Sequence, residues 1–459
     1  MSLVKSIYVI RGTIGDRVGE GLSGVDIVRF TAAYATRRRQ TMPDNNTIVV
    51  GRDARISGEM VRHLVVGCLM SMGYNVVDIG LATTPTTELA VIGEKAAGGI
   101  ILTASHNPKQ WNALKLLDAN GEFLNEEEGK AVLRIAEEEN FLFADVEQLG
   151  VVRSKDYLPY HIQRVLSLPL INREAISQRD FRVAVDGINS VGAVAIPEML
   201  KALGVKQITV LNEVPDGRFS HNPEPLPQHL ESISRLIQEG GYDVGFVVDP
   251  DVDRLAIVTE NGDMFGEEYT LVSAADYVLS HTPGNTVSNL SSSRALRDIT
   301  ERYGGTYSAA AVGEVNVVSE MKRTNAVIGG EGNGGVIYPA CHSGRDALVG
   351  VALFLSLLAE RKCTVSALRK TYPEYIISKN RKELTPDMDV DKVLQEVKQV
   401  FESHTDVKIT DIDGVKIDFT DGWVHLRKSN TEPIIRVYSE AATVERADEL
   451  ANSVMAFLS

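Results

Sequence analysis

Four short segments hold side chains whose types and spacing can do chemistry. The first is Thr103-Ala104-Ser105-His106-Asn107-Pro108. The apolar run Gly99-Ile100-Ile101-Leu102 predicts a strand that delivers it, and Pro108 stops that strand from continuing. Ser105 is then expected on an exposed turn at a strand's C-terminal end, where α/β proteins place reactive groups. His106 and, further on, Lys115 can offer positive charge to an oxyanion. Taken alone, the same segment is as readily a polar turn. The second is Asp249-Pro250-Asp251-Val252-Asp253-Arg254, between the apolar runs Val244–Val248 and Leu255–Val258. Three carboxylates at alternate positions of a tight loop can converge on one hard cation, and oxygen-only ligands favour Mg²⁺ or Ca²⁺. A calcium EF-hand is the rival, because Glu260 falls at its twelfth position. It loses on two counts: Arg254 stands where that loop needs glycine, and the flanks read as strands. A merely solvated acidic turn would not explain acids placed between two apolar strands.

The third segment, Gly329-Gly330-Glu331-Gly332-Asn333-Gly334-Gly335, has five glycines in seven residues. Backbone of this kind can approach a ligand closely, leaving Glu331 and Asn333 to contact it. A carboxylate and an amide can accept from and donate to vicinal hydroxyls, which suits a sugar. The competing idea is a nucleotide cradle, but no Gly-Lys-Ser/Thr follows and the dinucleotide spacing is absent. The fourth is Arg427-Lys428-Ser429-Asn430-Thr431-Glu432-Pro433, with Arg436 on the next strand. Guanidiniums, hydroxyls, an amide and exposed backbone N–H groups suit a terminal phosphate dianion. A hairpin turn on a solvated edge is the bland alternative. Together the four are complementary: a nucleophile, a metal loop, a hydroxyl reader and a phosphate clamp.

The elements that must position these loops form a pattern that recurs three times. Ile48-Val49-Val50 leads through a polar loop to a helix over Glu59–Met72, then Gly73 and a strand at Asn75-Val76-Val77. The second copy runs from Phe181–Asp186 to a helix over Gly192–Leu203, then Gly204 and Gln207–Val210. The third runs from Asn285–Ser291 to a helix near Arg294–Tyr303, then Gly304-Gly305 and Thr306-Tyr307-Ser308. In each, a buried strand feeds a helix that a glycine closes before the next strand. Such repeats build sheets covered by helices. From Tyr372 the pattern changes to short strands (Val415–Phe419, Trp423–Leu426, Ile434–Tyr438) with amphipathic helices over Val390–Glu402 and Thr443–Leu458. The expected architecture is α/β: three similar mixed-sheet domains, residues 1–153, 154–256 and 257–370, and a C-terminal α+β domain, 371–459, around a central cleft.

Composition narrows the setting. At 459 residues the chain is too long for one ordinary core. No run approaches the roughly 18 apolar residues of a membrane span, and Met1-Ser2-Leu3-Val4-Lys5 is not a secretory signal. Cys68, Cys341 and Cys363 lie far apart, which fits a reducing cytoplasm. A formal charge of −15 argues against nucleic-acid or acidic-membrane partners. An anionic small molecule must then be held by local clusters of Arg, Lys and backbone N–H groups.

Thr-Ala-Ser-His-Asn-Pro, Asp-x-Asp-x-Asp-Arg, Gly-Glu-x-Asn-Gly and Arg-x-Ser-Asn-Thr-Glu-Pro-x-x-Arg, in this order, resemble the motifs of the α-D-phosphohexomutases. Ile10-Arg11-Gly12, Gly51-Arg52-Asp53 and Pro215-Asp216-Gly217-Arg218-Phe219 extend the likeness over nearly the whole chain. That family includes phosphoglucomutase, phosphomannomutase and phosphoglucosamine mutase. The resemblance implies that Ser105 is phosphorylated and that Asp249, Asp251 and Asp253 share one Mg²⁺ with its phosphate. Arg11, His106 and Lys115 fall at charge-stabilising or proton-transferring positions. Glu331 and Asn333 match the sugar-contacting pair, and Arg427, Ser429, Asn430, Thr431 and Arg436 the phosphate site. Many members carry Ser at Asn333, Gly at Asn430, or His at Gly335. The Asn variants resemble the archaeal-type branch usually named phosphoglucosamine mutase, which favours glucosamine phosphate and leaves glucose and mannose phosphates open.

Charge accounting explains why the groups belong together. A phosphoserine and three aspartates total about −5, which Mg²⁺ and Arg254 reduce to about −2 before a substrate phosphate arrives. Arg11, Lys115, Arg427 and Arg436 would offset that second dianion. The expected reaction is transfer from phospho-Ser105 to a hexose monophosphate, reorientation of the 1,6-bisphosphate, and return of a phosphoryl group. Lys115 and His106 are both candidate bases. Hexose 1,6-bisphosphate would be the activator, a sugar phosphate the only partner, and the enzyme a monomer or homodimer. A metal-dependent phosphatase needs only one phosphate site, and a sugar-phosphate sensor needs neither nucleophile nor metal loop.

Overall fold

The computed structural model describes residues 2–384, 389–429 and 434–458. The chain divides into two units, one of residues 1–270 with 334–368 and the other of 271–333 with 369–459. In the first unit a seven-stranded mixed sheet runs in the order Val4–Lys5, Val9–Thr13, Trp111–Leu117, Gly98–Leu102, Thr47–Arg52, Asn75–Leu81, Val152–Ser154. Thr47–Arg52 pairs in parallel with both Asn75–Leu81 and Gly98–Leu102. Gly98–Leu102 pairs antiparallel with Trp111–Leu117, so that Thr103–Gln110 connects two adjacent strands. A second, four-stranded sheet runs Leu255–Val258, Val244–Val248, Arg182–Asp186, Gln207–Leu211. Its antiparallel pair, Val244–Val248 with Leu255–Val258, is a hairpin whose tip is the three-aspartate segment.

The threefold recurrence is present in the backbone. Thr47–Arg52 is followed by helix Gly58–Ser71, Arg182–Asp186 by Gly192–Leu203, and Asn285–Asn289 by Ala295–Arg302. Each first strand pairs in parallel with the strand after its helix. Gly73, Gly204 and Gly304 leave those helices at φ 82°, 94° and 74°, the left-handed region that glycine enters without a Cβ clash. Helix Ala347–Arg361 is buried throughout Ala347–Ala359 and apolar on every face, as a helix inside a core must be.

In the second unit Asn285–Asn289 lies between Tyr307–Ala310 and Ala326–Glu331, all parallel. A five-stranded antiparallel sheet runs Ile376–Glu383, Ile434–Ala441, Gly422–Lys428, Val415–Asp418, Lys408–Thr410. Helices Val390–Glu402 and Val444–Met455 pack their apolar faces on a core of Val415, Ile417, Val424, Leu426, Ile435 and Val437. Strand Ile376–Glu383 escaped the sequence reading because its second half, Lys379–Glu383, is wholly polar. Among the described residues no helix is long and apolar enough to cross a membrane.

Candidate active site

Ser105 follows directly on the end of its strand, and the local sequence explains its fixed geometry. Thr103 Oγ1 donates to Asp53 Oδ2 at 2.6 Å and accepts from the Ser105 N–H at 3.0 Å. Arg55, fully buried, holds the rest of the loop. Its Nε donates to Asp53 Oδ2 at 3.0 Å, and its other nitrogens donate to the carbonyls of Ser105, Asn107 (2.6 Å), Pro108 (2.8 Å) and Trp111 (3.0 Å). Five donors in a rigid fork suit this task. Ser105 has φ 48°, a left-handed conformation that non-glycine residues seldom adopt and that clusters at functional sites. The expectation of an exposed turn is corrected: Ser105 is only 8% exposed. The aspartate loop covers it, with Ser105 Oγ donating to Asp249 Oδ2 at 2.7 Å.

Asp249, Asp251 and Asp253 are fully buried, and one carboxylate oxygen from each lies within 4.8 Å of the others. Val252 between them has φ 62°, uncommon for a β-branched residue. Lys115, on strand Trp111–Leu117, sets Nζ 2.6 Å from Asp251 Oδ2 and 3.6 Å from Asp253 Oδ2. Arg345 Nη2 donates to Asp253 Oδ2 at 2.6 Å, and Thr84 Oγ1 to Asp251 Oδ2 at 2.6 Å. Burial and then the charges of Asp251 and Asp253 push the Asp249 carboxyl well above its ordinary range. Burial would raise Asp251 too, but Lys115 outweighs it and holds that carboxyl low. Burial alone would lower Lys115; Asp251 and Asp253 more than reverse this and keep the ammonium charged.

Asp251 Oδ1 and Asp253 Oδ1 are buried with no hydrogen-bond partner among the described residues. Buried carboxylate oxygens left unpaired are costly, and a hard divalent cation removes that cost. The donor set, all carboxylate oxygen, fits such an ion.

The other expected residues fall into two groups. Within the first unit, His106 Nδ1 is 3.4 Å from Ser105 Oγ. Burial, then Arg254 and Arg11, push its imidazole well below the ordinary range, so it is neutral. Arg11 is on strand Val9–Thr13, opposite Ala113. Arg254 Nε lies 4.0 Å from Asp253 Oδ1 and its Nη1 3.8 Å from Glu224. Within the second unit, Glu331 ends strand Ala326–Glu331, and Arg427 and Arg436 are directly paired across two antiparallel strands. Ser429 is buried, and Asn333 Oδ1 is buried without a hydrogen-bond partner among the described residues. Asn430 and Thr431 lie outside the described residues. Sequence reading passed over Arg55, Thr84 and Arg345. Asp53-Ala54-Arg55 carried a signal, an acid and a base beside a matched motif; Thr84 and Arg345 carried none.

A serine fixed against a cluster of three acids, on layered α/β sheets, is equipment for metal-assisted phosphoryl transfer. Comparison with known proteins makes this specific. Four successive family models match the chain, all for phosphoglucomutase/phosphomannomutase: alpha/beta/alpha domain I over residues 10–143, domain II over 159–262, domain III over 266–375, and the C-terminal domain over 380–457. A phosphoglucomutase/phosphomannomutase of Thermococcus kodakarensis is 34% identical over 442 residues, 95% of this chain and 96% of that one. A phosphoglucosamine/phosphogalactosamine mutase of Sulfurisphaera tokodaii is 32% identical over 415 residues, 89% and 90% of the two chains. The solved structure of a phosphoglucomutase/phosphomannomutase family protein from Burkholderia thailandensis shares the fold. Its TM-score is 0.84 at 24% identity, over 98% of this chain and 96% of that one. The chain belongs to the phosphoglucomutase/phosphomannomutase family. It is an isomerase, a phosphohexomutase.

Proposed function

We propose that this phosphohexomutase interconverts hexose 6-phosphate and hexose 1-phosphate by a phosphoryl relay through Ser105, with an amino sugar, glucosamine phosphate, as its preferred substrate. The observation that carries the relay is the 2.7 Å hydrogen bond from Ser105 Oγ to Asp249, at the edge of a three-carboxylate cluster. A seryl oxygen held there in a fixed backbone conformation can lose and regain a phosphoryl group without moving its acceptor. Asp249, Asp251 and Asp253 would hold one Mg²⁺, which when bound would neutralise charge on the transferring phosphoryl oxygens and the leaving serine oxygen. Lys115 and Arg345 keep the cluster from carrying its full charge.

Arg55 fixes the carbonyls on both sides of the loop and so aims Ser105 Oγ. His106, 3.4 Å from Ser105 Oγ, and Lys115 are the two candidates to handle the proton of the reacting hydroxyl. Glu331 and Asn333 would contact ring hydroxyls, while Arg427, Ser429, Asn430, Thr431 and Arg436 hold the phosphate that is not reacting. Hexose 1,6-bisphosphate would serve as both intermediate and activator, turning between the two transfers. Glucosamine phosphate is supported by the Asn333 side chain and by the name of the Sulfurisphaera relative. The Thermococcus relative, named for glucose and mannose phosphates, supports the second reading.

The test is phosphorus NMR of purified, phosphorylated protein with Mg²⁺ and a trace of hexose 1,6-bisphosphate, offered glucosamine, glucose and mannose 6-phosphates in turn. A growing 1-phosphate signal without free phosphate is expected, fastest for glucosamine, and none from Ser105→Ala. Full turnover by Ser105→Ala would sink the relay, and steady release of inorganic phosphate would make the enzyme a phosphatase.

A further inference from the structure

Glu331 is 5% exposed. Its Oε1 accepts from the Asn289 side-chain amide at 2.8 Å and from the Gly313 N–H at 3.1 Å. The preceding N–H, that of Val312, donates to Asp413 Oδ2 at 3.0 Å, and the same oxygen lies 3.9 Å from Arg427 Nη1. Two consecutive peptide N–H groups therefore reach in two directions, one to the carboxylate of the glycine-rich loop and one to the carboxylate beside the clamp arginine. Gly313 has φ 118°, which only glycine adopts freely. The turn that aims its N–H at Glu331 is thus set by a backbone that Asp413 anchors.

A second connection runs beside the first. Asn289 Oδ1 accepts from the Ser291 N–H at 3.0 Å. Ser291 Oγ is 3.0 Å from His425 Nδ1, and His425 Nε2 is 2.7 Å from the carbonyl of Asp413. Burial pushes His425 down to about 3, so the ring is neutral. A neutral imidazole has one donor and one acceptor. The carbonyl can only accept, so Nε2 donates to it and Nδ1 accepts from the Ser291 hydroxyl. His425 precedes Arg427 by two residues in strand Gly422–Lys428, which puts both on one face of the sheet.

We infer that Asp413 is a positioning residue that fixes the separation of Glu331 from Arg427, so that the hydroxyls and the non-reacting phosphate of one hexose monophosphate are read together. The inference rests on the reading of Glu331 and Arg427 as substrate contacts. In this reading Asp413 acts through Val312 and Arg427, not on the sugar itself. At 3.9 Å it supports the guanidinium's charge without occupying its donors, and Arg427 Nε has no hydrogen-bond partner among the described residues. Burial lowers Arg427, and Asp413 is the chief group opposing that, with Glu331 adding to it. A phosphate dianion approaching Arg427 therefore meets a charged fork already aimed.

The experiment is steady-state kinetics of the full enzyme on the hexose monophosphate that wild type turns over, with Ser105 phosphate occupancy read by intact mass. Asp413→Ala is expected to raise KM about tenfold while kcat stays within about twofold, the signature of lost substrate positioning rather than lost chemistry. Occupancy should be unchanged. Asp413→Asn, whose amide oxygen can still accept from Val312, should fall between. On an Arg427→Ala background Asp413→Ala should raise KM by a smaller factor than it does in wild type, because part of its effect runs through Arg427 and the rest through Val312. Unchanged KM in both single variants of an active enzyme overturns the inference. So does a joint fall in kcat and melting temperature at constant KM. A wild-type enzyme that interconverts no hexose phosphate overturns the proposed function and this inference with it.

Discussion

The two loop clusters are built on opposite electrostatic plans. Around Ser105 the charges are dense and paired at close range: of three buried carboxylates, Asp251 faces Lys115 and Asp253 faces Arg345, each at 2.6 Å, and Asp53 faces Arg55 at 3.0 Å. Around Glu331 neutral groups recur: its carboxylate accepts from an Asn289 amide and a Gly313 N–H, and close by a Ser291 hydroxyl meets an uncharged His425. The difference follows from what each region would handle. Concentrated negative charge can be buried only beside fixed cations, and transfer of a phosphoryl group brings more of it. Reading hydroxyls needs direction rather than charge, and neutral donors supply direction. The first region should therefore fail through loss of chemistry, and the second through loss of binding.

The sharpest way to break the contrast is to remove one of the three acids. Asp251→Ala deletes one acid of the cluster and leaves the buried Lys115 ammonium with Asp253 alone, 3.6 Å away. Turnover should fall by about a thousandfold or more, since the substitution removes both the metal's hold and its charge compensation. Chelation of divalent ions from wild type should do the same, reversed by added Mg²⁺. Rates at saturating sugar phosphate with graded Mg²⁺ would check this. Wild-type turnover by Asp251→Ala would show that charge density in this region has nothing to do with phosphoryl transfer.

Arg55 tests whether fixed geometry counts apart from charge. Arg55→Ala leaves Asp53 buried without its partner, a loss of about 3–5 kcal/mol by the usual cost of breaking such a pair. It also releases four carbonyls of the serine loop, so kcat should drop by about a hundredfold from misplacement of Ser105. Arg55→Lys keeps the charge and loses the fork. Its melting temperature should lie nearer wild type than its kcat does. If both recover together, charge alone suffices at this position.

Much of this was readable before the fold. The three strand–helix–glycine units were visible because hydrophobic runs and closing glycines are local signals, and Gly73, Gly204 and Gly304 do turn the chain at positive φ. The chemical types in the two regions were visible too, since acids in a hairpin tip and glycines in a run are local patterns. Their partners were not. Arg345 lies 92 residues from Asp253 in the chain, and Asp413 reaches Val312 across 101; no periodicity or spacing encodes such pairings. Ser105 was expected to be exposed because its turn lies at a strand's C-terminal end, but such a turn is covered when another loop supplies the matching groups, as Asp249 does here.

Two buried histidines carry the contrast into stability, with a smaller effect. In the first unit His342 lies between Asp346 Oδ2, 3.0 Å away, and Glu88 Oε2, 3.2 Å away, with His161 also on Asp346. Burial lowers His342, but the two carboxylates outweigh it and push the imidazole up to about 10. A raised pKa contributes stability that is fully present below the unfolded value of about 6.5 and is lost as pH climbs through the folded one. In the second unit His425, pushed down to about 3, has the opposite sign. Folding must keep it neutral, so its cost appears as pH falls below about 6.5 and grows toward 3. Melting curves from pH 5 to 9.5 should thus show an alkaline decline that His342→Gln flattens and an acid decline that His425→Gln flattens. Each limb should change by on the order of 3 °C for a protein of this size. If His342→Gln instead lowers the curve equally at every pH, the imidazole is packed between those carboxylates but not charged by them, and the two regions differ in their catalytic loops alone.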